Sequence, residues 1–248
     1  MAVESMMKRP DRRLPSPGQI RLRAAWALGI VTFGIGTAAG GGHSVYSRMA
    51  PIDQYRMANR AREIALARSG APASVSDGAR VLVLGEHGYE AVVTGRNGFV
   101  CLVVRSWDQG FQDPEFWNPK IRSPECFNPP AARSVLPRYL ERTKWVLAGE
   151  SVAQMHARIQ RTRAAGKLSD PEPGSLSYMM SQDGYLNDRS AGPWYPHIMF
   201  FQGSAVAAQW GANLPGTPVA ADSTSYEGVT LFMVIVPEWS NGTWLAHK

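Results

Sequence analysis

Residues 178–201 read YMMSQDGYLNDRSAGPWYPHIMFF, the densest run in the chain of side chains able to do chemistry. It holds Tyr178, Ser181, Asp183, Tyr185, Asp188, Trp194, Tyr195 and His197. If its two ends are paired strands, Tyr178 and His197 share a face of the sheet. An imidazole beside Ser181 or Asp183 would act as a general base, with the carboxylate fixing its tautomer. The competing reading is a pocket. Tyr178, Trp194, His197 and Phe201 then form the ligand-binding set, giving apolar walls with a few polar groups. Met199 and Met233 beside His197 do not point to haem, because methionine at strand spacing is ordinary core filler and the chain has no C-x-x-C-H. No cofactor is expected.

Other chemistries lack their signatures. There is no G-x-S-x-G elbow, no phosphate-cradling glycine loop and no dinucleotide fingerprint. The five histidines, at 43, 87, 156, 197 and 247, include no pair at i, i+3 or i, i+4. A histidine-based metal site would have to be assembled over long range, and none is expected. The net charge is +6, but residues 1–23 hold six basic side chains against two acidic ones. Most of the excess therefore precedes the fold. Nucleic-acid binding needs basic residues clustered on the folded surface, so nucleic acid is not an expected partner.

Residues 24–42 carry no charge and follow that basic stretch directly. A basic flank, a short apolar run and then small residues form the layout of an export signal. Glycines 29, 34 and 36 weaken the alternative of a buried helix. The run is also close to the shortest that spans about 30 Å of hydrocarbon, so an uncleaved anchor is the rival. Both versions leave the remainder of the chain outside the cytoplasm. Arg12-Arg13 leaves the general and the twin-arginine routes both open. The expected division is residues 1–50 as export signal or anchor and 51–248 as a single globular domain. Membrane contact falls to residues 24–42 alone. Outside the cytoplasm a lone cysteine pair forms a disulfide. Bridging Cys101 to Cys126 closes a loop of about 25 residues and adds about 3 kcal/mol. A nucleophilic thiol at Cys101 is disfavoured by its setting in FVCLVV, since apolar surroundings raise a thiol pKa.

The elements that must position these groups follow from periodicity. A helix is expected over 51–68, with a stripe of Met57, Ala61, Ile64 and Ala65. A meander follows at 81–84, 89–94 and 99–104, with Asn97-Gly98 as a hairpin turn. The last of these strands is apolar on both sides, which marks a central strand covered twice. Residues 106–130 show no period and read as a proline- and aromatic-rich loop packed onto the body. Helices are expected over 134–148, capped by Ser134, and from a Ser151/Gln154 capping box to Gly166. Three strands follow: 176–181 with Leu176, Tyr178 and Met180 on one face, then 197–201, then 230–236. The order predicts an α+β fold: a mostly antiparallel sheet of five or six strands with helices packed on one face.

Several stretches resemble a family of uncharacterised exported bacterial proteins. They are NGFVCLVVRSW, DPEFWNP, CFNPPAARSVLP, the YMMS after Gly174, WYPHIMFF, WGANLPGTPV and FMVIVPEWSNGT, between about residues 52 and 244. The resemblance implies export and a single domain, and gives no residue a role. The function expected is a periplasmic or envelope small-molecule-binding module. The alternatives are a hydrolase-like enzyme centred on His197 and an envelope structural or interaction protein. The expected partner is a small molecule or another envelope ligand.

Overall fold

The computed structural model describes residues 46–188, 194–204, 207–224 and 228–245. The stretch at 24–42, and nearly all of residues 1–50, lie outside the described residues. No helix among those described is long and apolar enough to cross a membrane.

Among the described residues eight strands form one sheet: β1 (Arg80–Leu84), β2 (Tyr89–Val93), β3 (Val100–Val104), β4 (Ser123–Phe127), β5 (Leu176–Met179), β6 (His197–Gly203), β7 (Val219–Thr224) and β8 (Val229–Ile235). Their order is β2-β1-β3-β4-β5-β6-β8-β7. Every pairing is antiparallel except β1 with β3. The α+β class is as expected, but the sheet has eight strands, not five or six.

Two strands account for the difference. β4 lies inside the supposed loop at 106–130, disguised by Pro124, which cannot donate to a ladder. The disguise fails physically because β5 pairs only with Cys126 and Phe127, so Pro124 sits beyond that ladder. β7 is an edge strand of alanines and short polar residues, with no apolar run to announce it. The Asn97-Gly98 turn also differs from expectation. It does not close a hairpin, since β2 and β3 both pair with β1. Gly98 takes φ +78°, while Asn97 donates to Val75 O and accepts from the Phe99 N–H. The turn is thus tied to the segment before β1, and it carries the chain past β1 to its far side.

Helices cover both faces of the sheet, correcting the expectation of one. α1 (Arg60–Arg68) and α2 (Ala73–Ser76) lie on the face that carries Val81, Cys101, Val103 and Cys126, where Ala67 and Ala71 join the cluster. The helices α3 (Pro129–Ser134) and α4 (Leu136–Leu147) cover the other face, on Leu102, Phe127, Met199 and Phe201. β3 is therefore enclosed twice, as its two apolar faces predict. Gly70, just past α1, makes close packing possible: a Cβ there would stand 3.0 Å from the Pro124 and Glu125 backbone. Cys101 and Cys126 are direct cross-strand partners on β3 and β4 and form the disulfide. α5 (Val152–Ala164) begins with the reciprocal Ser151/Gln154 capping box. Ser134 does not cap α4. It ends α3, donating to Pro130 O and accepting from the Glu172 N–H.

α1 starts at Arg60, and its buried residues are Glu63 and Ala67, not the expected stripe. Glu63 turns inward to meet Arg105 at 2.6 Å, with the two side chains 2% and 0% exposed. Arg105 also donates to Tyr55 O at 2.7 Å and to Val103 O, and Glu63 accepts the Leu84 N–H. Removing one partner of such a pair strands the other charge in the interior, at a cost of about 3–5 kcal/mol. Glu63→Ala is expected to lose that much in urea unfolding. Arg133→Ala, which breaks an exposed bridge to Glu172, is expected to lose under about 1 kcal/mol. Equal losses would deny the buried pair its role.

Candidate functional site

The sheet face under α4 holds a cleft-like cavity of about 350 Å³. Strand alternation builds its floor. β6 supplies His197, Met199 and Phe201, and β8 supplies Val229, Leu231 and Met233. β4 adds Ser123 and Glu125, and β5 adds Met179. α4 gives Arg138, Tyr139 and Arg142 from above, and residues 108–111 close one side.

That side is held by α4 and by aromatic packing. Arg142 donates to Trp107 O at 3.1 Å and to Gln109 O at 2.9 Å, and its guanidinium lies 4.5 Å from the Phe111 ring centroid. Trp107 Nε1 donates to Thr143 Oγ1 at 3.0 Å. Trp107, Phe111, Phe116 and Trp117 are buried with Tyr55, Val146 and Met155. The aromatic stretch therefore packs onto the body, as its composition predicts.

Two of the carboxyls that line the cavity are held well above their ordinary pKa. Glu125 is 2% exposed and accepts from Ser177 Oγ at 2.7 Å. Burial pushes its pKa up to about 8, against the pull of that hydrogen bond. Asp108 is raised to about 7, again by burial, while Arg142, Arg105 and the Arg105 backbone N–H pull more weakly the other way. Neither buried oxygen of Asp108, nor Oε1 of Gln109, has a hydrogen-bond partner of ordinary geometry among the described residues. Tyr139 is held well above its ordinary pKa by burial, then by the nearby Glu125 and Asp108 charges.

His197 and Phe201 both line this cavity. His197 Nδ1 lies 2.8 Å from Tyr195 O, so Nδ1 carries the proton and Nε2 is the basic nitrogen. Burial lowers the imidazole pKa. Trp194 does not line the cavity but packs edge-on against His197, ring centroids 5.6 Å apart. Tyr178 is on the opposite face. Met179, not Tyr178, stands across from His197, and Tyr178 packs with Phe99 beneath α1. The expected base-and-nucleophile group is not assembled. Ser181 Oγ is 2.6 Å from Ser69 Oγ and accepts the Asp183 N–H, and among the described residues His197 has no side-chain hydrogen-bond partner.

Asp108, Glu125, Arg138 and Arg142 escaped the sequence reading. A signal existed for the arginines, which stand four apart on α4 among its apolar residues. Glu125 also neighbours Cys126, so a strand with the cysteine on one face must aim the carboxyl at the other. Among the described residues no group of three or more His, Cys, Asp or Glu could hold a metal ion. No protein-family model matches the chain, and neither does any curated protein or solved structure.

The two carboxyls fix a pH dependence. An acid whose folded pKa lies above its unfolded value stabilises the fold at low pH, and that contribution is lost as pH rises through the folded value. The melting temperature is expected to fall as pH rises from about 4 to about 8 and to level off above that; above about pH 6.5 the carboxyls act alone, because His197, its pKa lowered by burial, is neutral there. Glu125→Gln should flatten the alkaline part of that decline. A wild-type profile that is level or rising there would show that the carboxyls ionise without penalty.

Proposed function

We propose that this chain is an exported small-molecule-binding module of the periplasm or envelope, and that the cavity between the sheet and α4 is its binding site. The observation that carries this reading is the make-up of the cavity. Met179, Met199, Met233 and Phe201 offer a soft apolar wall, while Asp108, Glu125 and Arg142 gather polar groups at the side closed by residues 108–111. Ligand pockets combine an apolar lining with a few fixed polar groups and run to about 300–1,000 Å³, so this one suits a small ligand. Thioether side chains adapt to varied apolar shapes. The disulfide supports folding outside a reducing cytoplasm.

Native mass spectrometry of the protein from its own periplasm tests the reading. A reproducible added mass is expected on the wild type and not on a folded Met199→Trp variant, whose indole fills the cavity. An added mass that survives the substitution, or none on either protein, would contradict it.

A further inference from the structure

We infer that the ligand class of this cavity is an amphipathic amine, its ammonium held by Asp108 and Gln109 and its apolar body lying on Met179, Met199 and Met233. The inference rests on the binding reading above and deepens it. Its basis is what the buried polar atoms lack. Asp108 Oδ1, Asp108 Oδ2 and Gln109 Oε1 are three buried oxygens on adjacent residues of the cavity wall, without a hydrogen-bond partner of ordinary geometry among the described residues. A buried acceptor left without a donor costs about 1–3 kcal/mol, and only a donor relieves it. An ammonium supplies three N–H donors, whereas a ligand carboxylate supplies none.

Charge points the same way. Four carboxyls line the cavity: Asp108, Asp113, Glu125 and Asp222. Against them stand three arginines, of which Arg105 is already neutralised by Glu63 at 2.6 Å. Fully ionised, the lining would be two negative charges in excess, but Asp108 and Glu125 hold their protons up to about pH 7 and about pH 8, so the excess develops only as an incoming cation draws a proton out. Arg142, the nearest opposing cation, already donates to two backbone carbonyls and covers the Phe111 ring. His197 donates to Tyr195 O and stays neutral, its pKa lowered by burial.

The groups facing Asp108 are Arg105 from the end of β3, Arg142 and Tyr139 from α4, Glu125 from β4 and Tyr89 from β2. The two cations among them are already engaged, Arg105 with Glu63 and Arg142 with two backbone carbonyls, so an incoming ammonium becomes the new counter-ion. The carboxylic acid then passes its proton to the buffer, the ammonium keeps all three of its own, and an ion pair remains.

Isothermal titration at about pH 6.5 with n-octylamine, octanol and octanoate separates the claims. The amine is expected to bind about tenfold or more tightly than octanol, with octanoate weakest. Repeating the amine titration in buffers of different ionisation enthalpy should show on the order of one proton released. Asp108→Asn should abolish the amine's advantage and leave octanol binding in place. If octanoate or octanol binds as tightly as the amine, or if Asp108→Asn keeps the preference, the amine assignment is wrong while the cavity stands as a site. If none of the three binds, or binding persists in Met199→Trp, the binding reading falls with it.

Discussion

The Arg105–Glu63 pair is the constraint on which the rest of the structure depends. Arg105 is the first residue beyond β3, and its guanidinium is held by Tyr55 O, Val103 O and Glu63. That fixes how the chain leaves the sheet. The tight turn at Ser106–Asp108 then sends Trp107 down to Thr143 and Asp108 to the cavity wall. One buried ion pair thus couples α1, the middle of the sheet and the candidate site. A surface bridge such as Arg158–Glu150 has no comparable reach, since water screens it and no backbone is held by it.

β4 is the second organising element. Cys126 faces α1 and is bound covalently to Cys101 on β3. Its neighbours Glu125 and Phe127 face the opposite way, toward the cavity and the α4 side. The disulfide therefore secures the register that places Glu125 against Ser177. A slip of one residue would exchange the faces and put the carboxyl under α1. Closing this loop contributes about 3 kcal/mol, which a five-residue strand containing a proline cannot readily supply by hydrogen bonding alone.

Much of the scaffold was legible, and the reasons are specific. The Ser151/Gln154 box, the cysteine pairing, and the β6 and β8 runs each rest on a local pattern that tertiary contacts reinforce. The β2–β3 relation was illegible because an Asn-Gly turn reports a reversal and not which strand is met afterwards. In the 176–181 run, alternation puts Leu176, Tyr178 and Met180 on one face, with Tyr178 expected to share the face of His197. Instead Met179 lines the cavity, and Ser177, on the same face of the strand, donates to Glu125. The polar groups of the site were hidden for a general reason: Asp, Glu and Arg are normally solvated, so nothing local marks the few that the fold encloses. Alternation puts His197 and Phe201 on one face of a strand, and that face forms the cavity floor.

The central claim is that a ligand sits between β5, β6, β8 and α4. Methionine methyl groups report on it directly, since Met179, Met199 and Met233 line the cavity while Met155 is buried in a separate cluster. In methyl-labelled protein titrated with octanol, NMR resonances of the three lining methionines should shift together and saturate, with Met155 unmoved. Saturable shifts at Met155 alone, or no shift at the three lining methyls, would contradict the account.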